Sequence, residues 1–258
     1  MCGRYSLTTP MEAVRQLFDF PERPNLAMRV NIAPSQEVAA VRLGAEGADQ
    51  GRGAGRHFVW LRWGLIPSWA KEPGIGNRMI NARAETLAEK PAFRAAFRRR
   101  RCLIPADGFY EWRTERGRKQ PYRIALTRGA PFAFAGLWER WEGAKGGAAA
   151  GGAGDAGIET CTIVTTEANA RLRTIHHRMP VILAPEAYDL WLDPATPGAE
   201  AQALLRPAPS EWFTAYRVSP KINSPANDDP ALIEPLDEAA GADEAPAAPD
   251  PNSQPRLL

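Results

Sequence analysis

The sequence predicts an α+β fold: one compact domain with a largely antiparallel, barrel-like β core and short peripheral helices. The first observation is a set of short strand-like runs at 58–64, 121–127, 131–138, 160–166 and 212–218. The second is that helical patterns are fewer and do not alternate with these runs, which argues against parallel βαβ units. The third is that 258 residues with eight Trp and nine Phe suffice for one substantial core.

Three segments carry helical patterns. In 9–18, Thr9 is a candidate N-cap, Pro10 suits the first turn, and apolar residues recur with helical spacing. These apolar residues are Met11, Val14, Leu17 and Phe18. Residues 90–98 and 184–192 show similar patterns, so three short helices are expected around the sheet.

Three stretches lack the large apolar residues that a packed core requires: 44–55, 142–157 and 237–258. The first two are Gly-rich and lie between strand-like runs, so we interpret them as long hairpin loops within one domain. The third is rich in Pro, Ala and acidic residues and is expected to be disordered. The domain is therefore predicted to span residues 2–236.

The net charge of +2 is unevenly distributed along the chain. Residues 237–258 contain five acidic residues and one arginine, which gives this tail a charge of −4 and leaves +6 on residues 1–236. A basic body favours an anionic partner such as nucleic acid, although an arginine-rich surface can also arise without one.

The three cysteines, Cys2, Cys102 and Cys161, are odd in number and widely spaced. This spacing matches neither a disulfide framework nor a CxxC metal site, and Cys102 and Cys161 lie in apolar runs typical of a core. Neither a signal sequence nor an apolar stretch long enough to span a membrane is evident. We therefore expect a cytoplasmic protein that uses no metal, no cofactor and no membrane.

The chain opens with MCGRY, which places a cysteine directly behind Met1. Removal of Met1 would leave Cys2 with a free amine and a thiol on adjacent carbons. The ordinary pKa values of these groups are roughly 7.7 to 8.0 and 8.5, so both nucleophiles are partly available at neutral pH. No other single residue offers this pair.

Two further stretches carry residue types suited to proton transfer. RTIHHRMPVIL (173–183) contains His176 and His177, which on a strand would point to opposite faces, so that one faces a cleft; a surface pair is the alternative. PADGFYEW (105–112) places Glu111 between two aromatic residues. On a strand, Glu111 would point away from both rings as an isolated carboxylate with a raised pKa; an exposed strand glutamate is the alternative.

Polar and aromatic residues also interrupt apolar runs. Asn31 and Asn81 must each either satisfy buried amides or contact a ligand. WGLIPSWAK (63–71) sets Trp63 and Trp69 around a proline, which suits base stacking, although core packing is the default for either ring.

Three arginines each lie two residues from Cys2, Asn81 or His176: Arg4, Arg83 and Arg178. Guanidinium groups at these positions would hold phosphates around a reaction centre. The run 98–101 contains four consecutive arginines and is interpreted as one solvated helix end.

Six motifs occur in order along the chain: MCGRY, NIAPSQ, WGLIPSWAK, INARAETL, RCLIPADGFYEW and IHHRMPVIL. In this combination the sequence resembles the SRAP family, the SOS-response-associated peptidase-like proteins that shield abasic sites. The similarity extends from residue 2 to about residue 236, ends with VSPKINSPANDDPALIEPL, and leaves out both Gly-rich stretches and the tail. The resemblance implies a monomeric, β-rich domain that binds single-stranded DNA containing abasic sites and is nucleoid-associated if bacterial.

The resemblance also implies roles for single residues. Its catalytic residues fall on Cys2, Asn81, Glu111 and His176, and its DNA-contacting arginines on Arg4, Arg83 and Arg178. We add as candidate DNA contacts Trp69, Asn31, Pro34 and Trp112. The one visible departure is His177, where many members carry an aspartate.

In the implied chemistry, the Cys2 amine and thiol both attack the aldehyde of a ring-opened abasic sugar and close a thiazolidine ring. Glu111 would shuttle protons, and His176 would assist sugar opening or reversal of the adduct. Asn81 would orient the amine or the sugar.

Two other functions use the same residues. A thiol peptidase would take Cys2 as nucleophile, His176 as base and Glu111 or Asn81 as the orienting group, and would also explain self-cleavage of Met1. A non-catalytic single-strand binder would leave Cys2 incidental. The basic body and the stacking loop favour an abasic-site crosslinking enzyme with autoproteolytic and lyase-type steps attached.

Overall fold

A computed structural model describes residues 2–44, 55–143 and 157–236. Within these ranges the chain forms thirteen strands and four α-helices, joined by turns and short 3-10 helices. The strands are β1 (Tyr5–Leu7), β2 (Arg29–Ile32), β3 (Glu37–Leu43), β4 (Arg56–Trp63), β5 (Asn81–Arg83), β6 (Arg101–Ala106), β7 (Gly108–Glu115), β8 (Arg118–Leu126), β9 (Phe132–Trp141), β10 (Ile158–Glu167), β11 (Arg178–Pro180), β12 (Ile182–Leu183) and β13 (Phe213–Arg217). The helices are α1 (Met11–Phe18), α2 (Arg94–Arg99), α3 (Tyr188–Leu192) and α4 (Gly198–Ala203).

Five strands close into a barrel in the order β10-β4-β3-β6-β9, and β9 pairs again with β10. Neighbouring strands are antiparallel except β4 and β10, which run parallel. Strand β10 also pairs with β5 and β11, so the strand that carries Asn81 is attached to the barrel wall. Each of the five barrel strands therefore pairs on both sides, as closure requires.

A second, antiparallel sheet has the order β13-β8-β7-β1-β2. Its strand β1 reaches the barrel core through Tyr5, whose ring packs edge-on against Trp63 at 5.3 Å and Phe134 at 5.6 Å between centroids. A smaller apolar cluster belongs to this sheet and the C-terminal segment, and consists of Val30, Tyr110, Val218, Ile222 and Leu232. The N-terminal strand thus lies where the two sheets meet.

The predicted fold class is confirmed: the core is a largely antiparallel barrel with short helices around it. The helices begin later than predicted. Helix α1 starts at Met11 after Pro10, and Thr9 does not cap it, because the N–H and hydroxyl of Thr9 both donate to Asp107. The α-helical part of 90–98 begins at Arg94, and that of 184–192 follows a 3-10 turn.

Most of the two Gly-rich stretches and all of the tail lie outside the described residues, so disorder of the tail stays a prediction. The strands on either side of each Gly-rich stretch are paired: Leu43 lies opposite Arg56, and Trp141 lies opposite Ile158. Each stretch therefore connects two neighbouring antiparallel strands. Across the three described ranges, no helix combines the length and apolar character needed to cross a membrane.

One basic residue contradicts its prediction. Arg101 is buried at the start of β6, and its guanidinium donates to the carbonyl oxygens of Phe97, Trp191 and Asp193. It therefore ties β6 to the end of α3, since a buried guanidinium needs acceptors within the protein.

Candidate active site

The first residues of the chain are held in place, although chain termini commonly fray. The N–H of Tyr110 donates to Arg4 O at 3.0 Å, and the N–H of Asp107 donates to Ser6 O at 2.9 Å. Strand β1 is thereby fixed between β2 and β7. This pairing determines where Cys2 lies.

Asp107 reinforces this arrangement from the interior. Its buried carboxylate accepts a hydrogen bond from Ser6 Oγ at 2.7 Å, and it also accepts from the N–H and hydroxyl groups of both Thr8 and Thr9. The guanidinium of Arg123 lies 3.4 Å from the same carboxylate. Many donors therefore offset the cost of burying this charge, and together they hold β1 against β7.

Cys2 is fully buried beside Asn81. The Asn81 amide donates from Nδ2 to Cys2 O at 2.8 Å, while its Oδ1 is buried and accepts no hydrogen bond from the described residues. The Cys2 thiol lies 3.9 Å from Arg4 O, a weak contact. Burial, followed by the charge of Glu111, raises the pKa of the Cys2 thiol, so the sulfur stays protonated at neutral pH.

Glu111 lies in the middle of β7 and is 4% exposed. Its neighbours Tyr110 and Trp112 pack in the smaller apolar cluster, as the strand alternation predicts. Burial raises the pKa of the Glu111 carboxyl, and nearby positive charge, including that of His177, opposes the shift. A carboxyl in this environment exchanges its proton closer to neutral pH than an exposed one.

His176 lies beside Glu111, with Nδ1 4.0 Å from Oε1. The two histidines occupy the turn before β11, not a strand as predicted, and their rings lie 4.4 Å apart. His176 is half-buried and His177 is exposed, so one histidine does face inward. His176 Nδ1 lies 3.0 Å from the backbone nitrogen of Arg178 and 3.1 Å from its carbonyl oxygen, so the backbone of Arg178 orients the ring in either tautomer. Burial lowers the pKa of His176 and favours the neutral form.

The three arginines predicted to bind DNA occupy different environments. Arg83 is exposed, and its side chain forms no hydrogen bond or ion pair within the described ranges. Arg4 donates to Asn31 Oδ1 at 2.6 Å and to two backbone carbonyls. Arg178 is buried and forms a two-pronged ion pair with Glu85 at 2.8 and 2.9 Å. Of the three, Arg83 alone presents a charge that the described part of the protein does not already engage.

The other residues predicted to contact DNA divide in a similar way. Trp69 is 57% exposed, whereas Trp63 of the same motif is buried in the core. Pro34 and Trp112 are half-buried. Asn31 is buried, and its Nδ2 donates to three backbone carbonyls, so it takes the first of its two predicted alternatives, the satisfaction of buried groups.

Asp107 and Glu85 belong to this region and were missed by the sequence analysis. Asp107 precedes a glycine in PADGFYEW, which is typical of a turn residue, and its partners lie near the start of the chain. Glu85 lies in INARAETL, but its partner Arg178 is 93 residues further along. A single sequence carries no signal for pairings at such separations.

The fold brings together a cysteine with a protonated thiol, an amide with an open acceptor, a buried carboxyl and a neutral imidazole. These belong to Cys2, Asn81, Glu111 and His176. In the described part of the chain, no three His, Cys, Asp or Glu side chains cluster as metal ligands would. The four side chains at this site are suited to nucleophilic attack assisted by proton transfer.

Comparison with known proteins identifies the family. The model of the SOS response associated peptidase (SRAP) family matches residues 1–225. The chain is 41% identical over 239 residues to the abasic site processing protein YoaM of Bacillus subtilis, covering 91% of this chain and 98% of that one. It is 35% identical over 206 residues to the abasic site processing protein HMCES of Gallus gallus, covering 70% of this chain and 58% of that one.

Solved structures show the same architecture. The crystal structure of a protein from Bacteroides thetaiotaomicron superposes with a TM-score of 0.77 at 27% identity, covering 91% of this chain and 100% of that one. A crystal structure from Bordetella bronchiseptica gives a TM-score of 0.68 at 28% identity, covering 84% and 100%. The motifs, the barrel and these similarities agree: the chain belongs to the SRAP family.

Proposed function

We propose that this protein processes abasic sites in single-stranded DNA and traps them as a covalent crosslink to Cys2 once Met1 has been removed. The observation that carries the proposal is the position of Cys2, which is hydrogen-bonded to Asn81 and close enough to Glu111 to feel its charge. The relatives named above are abasic site processing proteins, which supports the same substrate for this chain.

The reaction begins when the Cys2 amine attacks the aldehyde carbon of the ring-opened sugar. A C–N bond forms and one water leaves, which gives an imine. The thiol then adds to the same carbon, a C–S bond forms, and the thiol proton ends on the nitrogen of the new five-membered thiazolidine. Glu111 is suited to carry the protons of both steps, because burial raises its pKa and the thiol must lose a proton to react.

Asn81 and His176 are given supporting roles in this reaction. Asn81 Nδ2 fixes the backbone of Cys2, and its open Oδ1 can accept a hydrogen bond from the amine or from a sugar hydroxyl. His176, kept neutral by burial and oriented by the backbone of Arg178, can act on sugar opening or on lyase-type release of the adduct.

The DNA surface is proposed to include Arg83 for a phosphate and Trp69 for a base. The backbone next to Trp69 is tied to β9, since Trp141 Nε1 donates to Ala70 O at 2.8 Å. The exposed ring of Trp69 offers a flat surface on which a base can stack. We propose that one copy of the chain suffices for this contact and that a bacterial cell would hold it at the nucleoid.

The thiol peptidase alternative fits the geometry less well. Hydrolysis by a cysteine begins with attack by a thiolate, which burial and the charge of Glu111 disfavour by raising the pKa of the Cys2 thiol, whereas the proposed crosslink begins with the amine and the thiol adds only to the imine. The non-catalytic binder leaves the open acceptor of Asn81 beside Cys2 without a role.

The test is incubation with single-stranded DNA that contains one abasic site, followed by a denaturing gel with and without borohydride. The native protein, with its mass reduced by one methionine, is expected to give a stable band without reductant. Cys2→Ser keeps the amine and should give a band mainly when borohydride reduces the imine. Cys161→Ser makes the same change at another buried cysteine and should behave as native. A native protein without a stable band, or Cys2→Ser that equals it without reductant, contradicts the proposal.

A further inference from the structure

The hairpin of β7 and β8, which carries Glu111, ends in a group of exposed cations. We define the cationic tip as Arg116, Arg118 and Lys119, all exposed. None of the three side chains forms a hydrogen bond or ion pair with a described residue. The tip therefore presents three positive charges that no described carboxylate neutralises.

Glu115, the carboxylate that precedes this tip in the sequence, is already occupied. Glu115 accepts hydrogen bonds from Tyr122 at 2.5 Å, from Arg217 at 3.0 Å and from Arg113. Although Arg118 lies opposite Glu115 in the strand register, no ion pair joins them. The charge at the tip is thus a property of the hairpin and not half of an internal ion pair.

The backbone at the tip adds an independent observation. Arg116 and Gly117 form a two-residue turn in which both have positive φ, 48° and 78°. Such turns favour Asn or Gly at the first position, because a side chain in the left-handed region costs energy. The hairpin therefore carries a guanidinium at a position where a smaller residue would fold more easily, which points to a role for its charge.

The tip extends from the candidate active site. Arg116 lies five positions after Glu111, about 17 Å at 3.4 Å per residue. On the returning strand, Lys119 contributes to the field at His176, whose pKa is lowered first by burial and further by positive charges that include Lys119. In the strand register Arg118 lies opposite Glu115, on the face of the hairpin that carries Glu111. Arg116 at the turn lies further from Glu111 than the length of a single nucleotide.

We propose that the cationic tip binds the phosphate backbone of the DNA strand beyond the nucleotide held at Cys2. This inference rests on the proposed function, because it names the partner as the same single strand. The tip would make contacts that carry no sequence information, since each is a charge on a phosphate. It would hold the strand along the β7–β8 hairpin while the abasic sugar reacts.

The experiment measures the salt dependence of binding to an undamaged single strand of about 20 nucleotides, which exceeds the site size of many single-strand binding domains. The test variant is Arg116→Gln, Arg118→Gln and Lys119→Gln combined. The matched control removes three other exposed charges, Arg94→Gln, Arg98→Gln and Arg99→Gln, from α2, which carries no candidate site residue. The slope of log K against log salt is expected to become shallower by about 2 in the test variant, since each lost phosphate contact contributes about 0.7. The control is expected to keep the native slope.

A single variant, Arg116→Gly, separates charge from folding. It relieves the positive φ of a side chain, so the melting temperature is expected to rise, while the salt slope becomes shallower by about 0.7. A native slope in the triple variant, or an equal loss of slope in the α2 control, would overturn the proposal. A native protein that fails to crosslink abasic DNA, with the slope differences intact, would instead refute the crosslinking function and leave the tip contact standing.

Discussion

Asp107 and Glu111 lie four residues apart and are both buried, but the surroundings of their carboxyl groups differ. Asp107 accepts hydrogen bonds from the side chain of Ser6 and from the segment at Thr8 and Thr9. Glu111 lies where burial raises its pKa. A buried carboxylate surrounded by donors stabilises the fold. A buried carboxyl with a raised pKa is instead suited to accept and release a proton near neutral pH.

The two asparagines in apolar runs show the same contrast. Asn31 donates to three carbonyls and accepts from Arg4, so its amide is fully used in joining β2 to the C-terminal segment. Asn81 makes one bond, to Cys2 O, and keeps a buried acceptor open. Asn31, whose hydrogen bonds are all made within the protein, therefore anchors the N-terminal part of the sheet. Asn81, which keeps one acceptor open, belongs to the candidate active site.

The largest effect is expected from Glu111→Gln. Loss of its proton transfer should slow adduct formation by roughly a hundredfold to ten-thousandfold, measured as the rate of band formation on abasic single-stranded DNA. The variant should stay folded, because Gln fills the same volume without a buried charge. A rate equal to that of the native protein would show that Glu111 does not transfer protons in the reaction. Glu111 would then differ from Asp107 only in its surroundings.

Asp107→Ala should act mainly on stability. It leaves the donors of Thr8 and Thr9 unsatisfied and Arg123 without its partner, so the free energy of unfolding should fall by about 3–5 kcal/mol. Urea denaturation measures this loss, with Glu111→Gln as the matched control for a buried carboxylate. If Asp107→Ala unfolds at the native midpoint, the hydrogen bonds to Asp107 do not anchor β1.

Asn31→Ala should mainly lower the free energy of unfolding, whereas Asn81→Ala should mainly slow adduct formation. Asn31→Ala is expected to lower the free energy of unfolding by about 2–3 kcal/mol, because several carbonyls lose their donor. Asn81→Ala removes one such bond and should cost about 1 kcal/mol, while adduct formation slows by about tenfold or more. Equal effects of the two variants on both quantities would show that the open acceptor has no special role.

Because the pKa of Glu111 is raised, the free energy of unfolding should decrease as pH rises. Between the ordinary Glu pKa of about 4.3 and the raised value in the folded protein, the folded state binds more protons than the unfolded state. The contribution of Glu111 is therefore fully present at low pH and is lost as pH rises through this window. Urea denaturation across the window should show a smaller decline for Glu111→Gln. A difference that does not change with pH would contradict the assigned environment.

The smallest effect is expected from truncation after Leu236. All contacts of the described C-terminal segment are kept, including those of Tyr216 with Ile233 O and of Leu236 N with Arg217 O. Stability should change by less than about 0.5 kcal/mol, and removal of the acidic tail should leave adduct formation intact. A clear fall in melting temperature would show that residues 237–258 pack on the domain.

The sequence alone determined the fold class and five of the thirteen described strands, β4, β8, β9, β10 and β13, because β-rich runs and the scarcity of helical patterns are local properties of the chain. For Glu111 the sequence left two alternatives, an isolated buried carboxylate or an exposed strand glutamate. Alternation around Tyr110 and Trp112 gave only its face of β7, and the fold buries it. The helix start at Met11 was not predicted, because Thr9 bonds to a carboxylate that is distant in sequence. Local patterns therefore predicted the architecture. They did not predict where a side chain such as Thr9 bonds to a residue distant in the sequence.

The tertiary structure decided which polar groups are saturated. Asn31 and Asn81, or Arg83 and Arg178, look equivalent in sequence, and only long-range packing gives Arg178 its ion pair with Glu85 and leaves Arg83 exposed. The physical reason is that desolvation and hydrogen bonding depend on neighbours brought together by folding, while composition and periodicity report only what lies nearby in the chain. The cysteine directly behind Met1 was visible in the sequence. The raised pKa of its thiol and the hydrogen bond between Cys2 O and Asn81 depend on the fold.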